Sequence, residues 1–141
     1  MPGKMSKKHG DDYLDSRPGW MMLTSQGSDG YPHSVPIGYF RDGNRIFMGC
    51  RDNTQKVKNI ERNPKVSLVI EDGKTMSNLR GILLRGDAFV VREDEERLKI
   101  SRLASKLRGA PEDEWPTIAS AGAVFIKVDS PRVTSWDYSK T

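Results

Sequence analysis

The sequence predicts a mainly β domain of the α+β class, an antiparallel barrel with helices packed against its outside. Three observations support this class. Short apolar segments recur between turn-forming residues along most of the 141-residue chain. Two helical patterns interrupt them, one near the middle and one before the last strands. Three Trp, four Tyr and four Phe supply bulk for a core, despite a mean hydropathy of −0.64.

Composition limits the class of function. The formal net charge is +4, and basic residues are interspersed with acidic ones, which is typical of a solvated surface and disfavours nucleic acid as a partner. Cys50 is the only cysteine, so no intramolecular disulfide forms, which fits a reducing cytoplasm. No apolar segment approaches the ~18 residues of a membrane span. We therefore expect a cytoplasmic protein without a membrane partner, in which a flexible tail at residues 1–12 precedes one domain at residues 13–141.

The first half of the chain is predicted to contain a short helix, three strands and a second helix. Apolar and small residues alternate from Ser34 to Tyr39, which is strand periodicity. Asp42-Gly43-Asn44 predicts a hairpin turn, because glycine tolerates the positive φ that such turns need. The predicted elements are a short helix at 11–15, strands at 20–24, 34–39 and 46–48, and a helix that starts at Asn53 or Thr54 and ends before Pro64.

The second half is predicted to contain a buried strand, a long bent strand, a helix and a final strand. Residues 66–70 are apolar almost throughout, so we expect burial on both faces. Gly86 and Ala88 indicate a bend in a long strand at 79–92. A helix at 93–108 should bury a stripe and stop at Gly109; the stripe comprises Ile100, Leu103, Ala104 and Leu107. A loop or short helical turn at 110–116 leads to a strand at 123–128, extended after Pro131 over 133–138.

The start of the central helix is the first candidate for chemistry. A helix N-terminus has unsatisfied N–H groups and a partial positive charge, so it attracts anions. Here the first turn contains Thr54, Gln55 and Lys56, and Arg51 lies just upstream. A Lys at this end is unfavourable by a few tenths of a kcal/mol unless it meets an anion. The segment therefore suits an anion site; the alternative is that Lys56 simply points into solvent.

Several short motifs follow one another between about Trp20 and Tyr138: residues 32–36, the hairpin, Thr54-Gln55-Lys56 with Asn59, residues 65–70, residues 84–88 and Ser135-Trp136-Asp137. In the order and spacing of these motifs, the chain resembles the pyridoxamine 5'-phosphate oxidase-like family of FMN-binding split β-barrels. The resemblance implies a six-stranded antiparallel split β-barrel with flanking helices. It also implies a homodimer, with the flavin in a cleft between the subunits.

The resemblance also implies roles for individual residues. A strand would run beside the isoalloxazine ring; it comprises His33, Ser34, Val35, Pro36 and Ile37. The ring edge and ribityl chain would lie near Gly49, Cys50 and Arg51. The terminal phosphate would be held by Thr54, Gln55 and Lys56, in a pocket lined by Asn59. Trp136 would cover the cofactor from the partner subunit, or pack at a strand end or dimer contact.

Departures from the family pattern reduce the number of activities that the resemblance suggests for this chain. Family members often have Ser-Arg-Lys where this chain has Thr54-Gln55-Lys56, so one phosphate-binding cation is missing; Arg51, Arg80 and Arg85 are the candidate replacements. The Arg, Gln and C-terminal Arg–His residues of true pyridoxamine phosphate oxidases are absent, so we do not assign that activity. We identify no dedicated catalytic residue and no metal-ligand spacing. We expect Cys50 to be a small buried residue, and His33 to be structural, with proton donor and haem ligand as its alternatives.

These observations favour a cytoplasmic, homodimeric FMN-dependent oxidoreductase that acts on a small molecule, with the cofactor performing the chemistry. The first alternative is a reductase of the same fold that uses the deazaflavin F420, whose anionic tail suits the same Lys. The second is a flavin- or haem-binding protein without enzymatic activity. A nucleic-acid-binding barrel is disfavoured, because aromatic and basic residues do not interleave on one strand.

Overall fold

The structure, a computed structural model, describes residues 3–140. Its strands are β1 (Met21–Gln26), β2 (Pro32–Ile37), β3 (Phe40–Asp42), β4 (Arg45–Arg51), β5 (Lys65–Asp72), β6 (Arg80–Val91), β7 (Ala123–Asp129) and β8 (Arg132–Asp137). Its α-helices are α1 (Lys7–Ser16), α2 (Gln55–Arg62) and α3 (Asp94–Leu107), with short 3-10 turns at Met76–Asn78 and Glu112–Glu114. No helix within residues 3–140 is both long and apolar enough to cross a membrane.

The strands form one antiparallel sheet in the order β2-β1-β5-β6-β7-β4-β3, with β8 paired to β6. Residues 80–87 of β6 pair with β5, whereas residues 88–91 pair with β7. The bend falls at Gly86, where a Cβ would lie only 3.2 Å from Cγ1 of Val128. The sheet therefore curls into a half-barrel, which confirms the mainly β class, the split barrel and the predicted bend. Residues 3–140 contain eight strands instead of the predicted six, because the extended segment is interrupted between β2 and β3 and the chain turns between β7 and β8.

Strand β5 differs from its prediction. Val66, Leu68 and Ile70 are buried, whereas Ser67 and Val69 between them are only partly buried. The expectation of burial on both faces is wrong, because β5 lies in a curled sheet with one face on the core and the other on the outer surface. The core consists of the inward residues of several strands, including Met21, Leu23, Ile46, Met48, Leu68, Ile70, Ile82, Leu84, Ile126 and Val128.

Both ends of the chain also depart from expectation. The first helix begins at Lys7, with Ser6 as its N-cap, and buries Tyr13 and Leu14 against the barrel. Residues 7–12 are therefore helical here, where the sequence predicted a flexible tail. At the other end Ser130 has a φ of 46°, which reverses the chain. Strand β8 consequently pairs with β6. We had expected it to extend β7 instead.

Helix α3 has the predicted bounds but only part of the predicted buried face. Ile100 is buried, yet Leu107 is 50% exposed. Arg97 is buried instead, and its guanidinium donates to the carbonyls of Ser120 (2.6 Å) and Ala123 (3.0 Å). A charged side chain thus fixes the loop between α3 and β7, a role that the apolar pattern does not reveal.

Removing a core side chain of β5 tests its one-sided burial. Leu68→Ala deletes a fully buried side chain, and we expect the free energy of unfolding to fall by about 2–5 kcal/mol in urea denaturation. The control is Ser67→Ala on the opposite face, which should change it by no more than about 0.5 kcal/mol. A loss at Ser67 as large as that at Leu68 would mean that β5 is packed on both faces.

Candidate functional site

The junction between β4 and α2 presents an open helix start. Thr54 is the N-cap of α2, but its side chain makes no capping hydrogen bond. Its hydroxyl instead donates to the carbonyl of Arg51 at 2.9 Å, which tightens the turn before the helix. The first N–H groups of α2 therefore receive no cap from Thr54 and remain available to an anion.

Two cations flank this helix start. Arg51 is exposed and Lys56 is partly buried, and neither forms an ion pair with a carboxylate of the described residues. The nearby carboxylate of Asp52 is already paired with Arg92. The junction therefore combines two cations without carboxylate partners with unsatisfied backbone donors, which is the chemistry of a phosphate or carboxylate site.

The guanidinium of Arg51 lies against Gly122. A Cβ at Gly122 would lie 2.8 Å from Nη2 of Arg51, and the residue has a φ of 72°. The carbonyl of Gly122 also accepts a hydrogen bond from the N–H of Asp52 at 3.0 Å. The positive φ favours glycine at this position.

Asn59 connects α2 to the barrel. It is fully buried, and its Nδ2 donates to Oγ of Ser25 at 3.1 Å. Its Oδ1 accepts hydrogen bonds from Nε2 of Gln55 at 2.8 Å and from Nη2 of Arg62 at 3.3 Å. Asn59 therefore lies behind the helix start, where both its amide nitrogen and its amide oxygen form hydrogen bonds. The side chain of Gln55 belongs to the same hydrogen-bond network.

The free edge of β2 has an unusual set of hydrogen-bonding groups. Within the described residues β2 pairs with β1 alone, so its other edge is open. Pro32 and Pro36 have no N–H, so the residues able to exchange both backbone hydrogen bonds with β1 are His33, Val35 and Ile37. The open edge then offers one donor, the N–H of Ser34, among the carbonyls of Pro32, Ser34 and Pro36.

The side chains of β2 alternate between the two faces of the sheet. Ile37 is buried and Val35 is partly buried, whereas Ser34 lies outside and shares a 2.7 Å hydrogen bond with Thr24. His33 is partly buried, and its Nδ1 is a buried atom without a hydrogen-bond partner among residues 3–140. Leaving such an atom unpartnered costs about 1–3 kcal/mol, so this imidazole has an unused bonding capacity.

The end of β4 adds a thiol beside Lys56. Cys50 is partly buried, and burial raises the pKa of its thiol, while the charge of Lys56 and a hydrogen bond with Thr54 lower it by less. The raised pKa keeps the thiol protonated at neutral pH, which agrees with a packing role. Gly49 is exposed, and a Cβ there would lie 3.3 Å from the ring of Phe125. Within residues 3–140 no group of His, Cys, Asp and Glu side chains is arranged to hold a metal ion.

Of the three candidate replacement cations, Arg51 is the one at the junction. Arg80 is paired with Asp72 at 3.0 Å and stacks over the ring of Tyr13 at 4.9 Å. Arg85 lies on the outer face of β6, opposite Ser67. Sequence spacing alone does not separate these three, because the distinction depends on how the strands pair.

Trp136 lies elsewhere in the same chain. It sits on β8 opposite Gly81, and its Nε1 donates to Oε2 of Glu71 at 3.1 Å. A Cβ at Gly81 would lie 2.7 Å from the indole, so the ring passes directly over this glycine. Two cavities of about 390 Å³ beside α1 and one of about 330 Å³ on the outer face likewise contain no residue of the junction.

A half-barrel of antiparallel strands with this junction defines a split β-barrel protein. The family model described as Pyridoxamine 5'-phosphate oxidase matches residues 11–136, and the chain belongs to this family, as the sequence resemblance predicted. No curated protein sequence gives a significant match.

Solved structures agree with the fold. The conserved hypothetical protein Rv2991 from Mycobacterium tuberculosis is 26% identical, with a TM-score of 0.78, and the match covers 95% of this chain and 86% of that one. A structure named F420 Reductase is 23% identical, with a TM-score of 0.63 and coverage of 87% and 94%. The FAD binding protein from Mycobacterium smegmatis is 17% identical, with a TM-score of 0.66 and coverage of 94% and 97%.

The hydrogen bonds of the buried Asn59 amide predict an effect on protein stability that does not depend on ligand binding. Asn59→Ala leaves Ser25 and Gln55 without a partner, so the cofactor-free protein should lose about 1–3 kcal/mol of unfolding free energy in urea. Asn53→Ala, an exposed asparagine in the preceding turn, should change it by no more than about 0.5 kcal/mol. Unchanged stability in the Asn59 variant would contradict the supporting role.

Proposed function

We propose that this chain is an FMN-dependent oxidoreductase that moves a hydride or an electron pair between the flavin and a small molecule. The observation that carries the proposal is the junction, where Arg51 and Lys56 have no ion-pair partner within residues 3–140 and flank an open helix start. The likeness to an F420 reductase and an FAD binding protein supports a flavin-type cofactor. A lone cysteine without a disulfide partner supports a cytoplasmic location.

The phosphate of FMN suits the junction. A phosphate dianion needs several donors and positive charge, and the junction supplies the Lys56 ammonium, the Arg51 guanidinium and the first N–H groups of α2. In this proposal Arg51, which lies against Gly122, replaces the arginine that other family members have in the helix. Asn59 and Gln55 keep the helix start in position against β1.

The open edge of β2 suits the polar edge of the ring. The isoalloxazine presents an N–H between two carbonyls, and β2 presents the N–H of Ser34 among backbone carbonyls. This complementarity orients the ring along β2, with Gly49 and Cys50 close to its other side. When bound, FMN supplies the hydride or electron-pair chemistry, while the protein binds, orients and shields it.

A second chain completes the site in this proposal. One row of apolar side chains runs across the outer face through Pro36, Met22, Val69 and Leu83, which are partners in the strand register. Trp20, at 70% exposure, and Met22, at 40%, leave apolar surface open to water in a single chain. Such contiguous apolar surface usually marks an interface, so we infer a homodimer whose partner covers the cofactor.

The second candidate is an F420-dependent reductase, favoured by the structural likeness to the F420 reductase. A deazaflavin with an anionic tail would use the same cations. Mass spectrometry and the absorbance spectrum of the small molecule that copurifies distinguish the two cofactors. Bound FMN that no reductant and substrate can turn over would favour a flavin carrier without enzymatic activity.

The phosphate contact of Lys56 gives the central test. Lys56→Ala removes a charge-assisted hydrogen bond, so FMN affinity should fall roughly ten- to a hundredfold in a fluorescence titration. Riboflavin, which has no phosphate, should bind almost equally to both proteins. The matched control is Lys58→Ala, which removes an exposed lysine of the same helix and should leave both affinities unchanged. Equal losses for FMN and riboflavin would mean that Lys56 shapes the pocket without contacting the phosphate.

The apolar row gives a test of the dimer. Light scattering should report about twice the chain mass of 15.9 kDa. Met22→Glu places a charge within the row, so we expect monomers and weaker FMN binding. Met76→Glu adds the same charge at a residue that is 65% exposed and lies outside the row, and should remain dimeric. A wild-type monomer that binds FMN stoichiometrically would refute the two-chain site.

A further inference from the structure

The guanidinium of Arg92 holds two carboxylates that flank helix α2. Arg92 follows the last residue of β6, and its Nη1 donates to Oδ1 of Asp52, which comes directly after β4. Its Nη2 lies 2.9 Å from Oε1 of Glu61 in the last turn of α2, and its Nε donates to Oε2 of the same residue at 3.3 Å. One guanidinium therefore connects the turn before α2 with the end of that helix.

Further hydrogen bonds fix the backbone on both sides of this ion pair. The carbonyl of Arg92 accepts a hydrogen bond from Nε of the buried Arg97 at 3.0 Å. The N–H of Asp52 donates to the carbonyl of Gly122 at 3.0 Å. The side chains of Arg92 and its two carboxylate partners are themselves about half exposed. Exposed ion pairs contribute little to stability, so the main effect of this network is on where the two carboxylates lie.

Asp52 is the carboxylate nearest in sequence to the open start of α2. Aspartate favours helix starts strongly, because its side chain accepts hydrogen bonds from the first N–H groups. The first turn of α2 contains no acidic residue, and Thr54 provides no cap, so the helix start could accept such a carboxylate. Within residues 3–140 the carboxylate of Asp52 instead accepts its hydrogen bond from Arg92.

The thiol of Cys50 shows that Asp52 and the cation Lys56 act on the same short segment. Burial is the main cause of the raised pKa of this thiol. The charge of Lys56 lowers the pKa, and the charge of Asp52 raises it. Both charges therefore lie close enough to the end of β4 to affect the same group.

We propose that Arg92 is a positioning residue of the junction, which binds the carboxylate of Asp52 and so keeps the start of α2 available to the ligand. Without Arg92, a carboxylate of the chain itself would compete with the ligand, and a tethered group competes at a high effective concentration. Arg92 thereby favours ligands that have a phosphate over their uncharged counterparts, without touching the ligand. The inference rests on the proposed function, because FMN is the ligand assumed for the junction.

The experiment titrates cofactor-free protein with FMN and with riboflavin. Arg92→Gln should weaken FMN binding roughly three- to tenfold, because the released carboxylate of Asp52 then occupies the positive end of the helix. Riboflavin has no phosphate, so its affinity should change by less than about twofold. The matched control is Arg45→Gln, which breaks another exposed ion pair of a strand arginine, with Asp129 at 3.3 Å, and should leave both affinities unchanged.

The deciding variant removes Asp52 together with Arg92. Arg92→Gln combined with Asp52→Ala should restore FMN affinity to within about twofold of wild type, because no carboxylate remains to compete. Asp52→Ala alone should bind FMN as the wild type does. A residue that only braces the fold would not show this rescue, since the double variant lacks both partners. Urea unfolding of the cofactor-free variants checks that each is folded.

Inorganic phosphate separates this proposal from the choice of cofactor. Its binding is measured by calorimetry against NaCl at equal ionic strength. Phosphate binding that Arg92→Gln weakens and the double variant restores, in a protein that does not bind FMN, would refute the FMN function and support the role of Arg92. FMN binding that Arg92→Gln leaves unchanged, or that the double variant does not restore, would overturn the role of Arg92 alone. A wild type that binds neither ligand would overturn both.

Discussion

The fold depends on one strand that belongs to both halves of the barrel. Strand β6 pairs with β5 and β8 along its first part and with β7 along its last. The transition falls at Gly86, where a side chain would pack tightly against Val128. This bend brings β7 and β4 round to the end of the sheet where α2 packs. The position of the β4–α2 junction relative to β1 and β2 is therefore a consequence of how β6 curves.

Buried polar contacts behind the candidate site hold its elements in position. Asn59 joins α2 to β1, and Arg97 fixes the loop that leads to Gly122. The guanidinium of Arg51 lies against Gly122. The cations that face the proposed phosphate thus have no carboxylate partners in the described chain, while Asn59 and Arg97 behind them are buried and hydrogen-bonded. This division suits a site that must stay ordered before its ligand arrives.

Local signals were sufficient for much of the fold. The hairpin at Gly43, with a φ of 59°, and the end of α2 before Pro64 follow from the conformational limits of single residues. Nonlocal features were not predictable in this way. The burial of Arg97 and the choice of Arg51 over Arg80 and Arg85 depend on which strands become neighbours. Periodicity also overestimated burial at Val69 and Leu107, since an apolar residue can lie on an outer surface.

The two prolines of β2 have a consequence for the protein before it binds any cofactor. An exposed strand edge normally templates pairing with another chain, which leads to edge-to-edge polymers. Pro32 and Pro36 remove two of the three donors that would face this edge, so an incoming strand would find only the N–H of Ser34 to bond. The edge can therefore remain uncovered at high protein concentration without recruiting further strands.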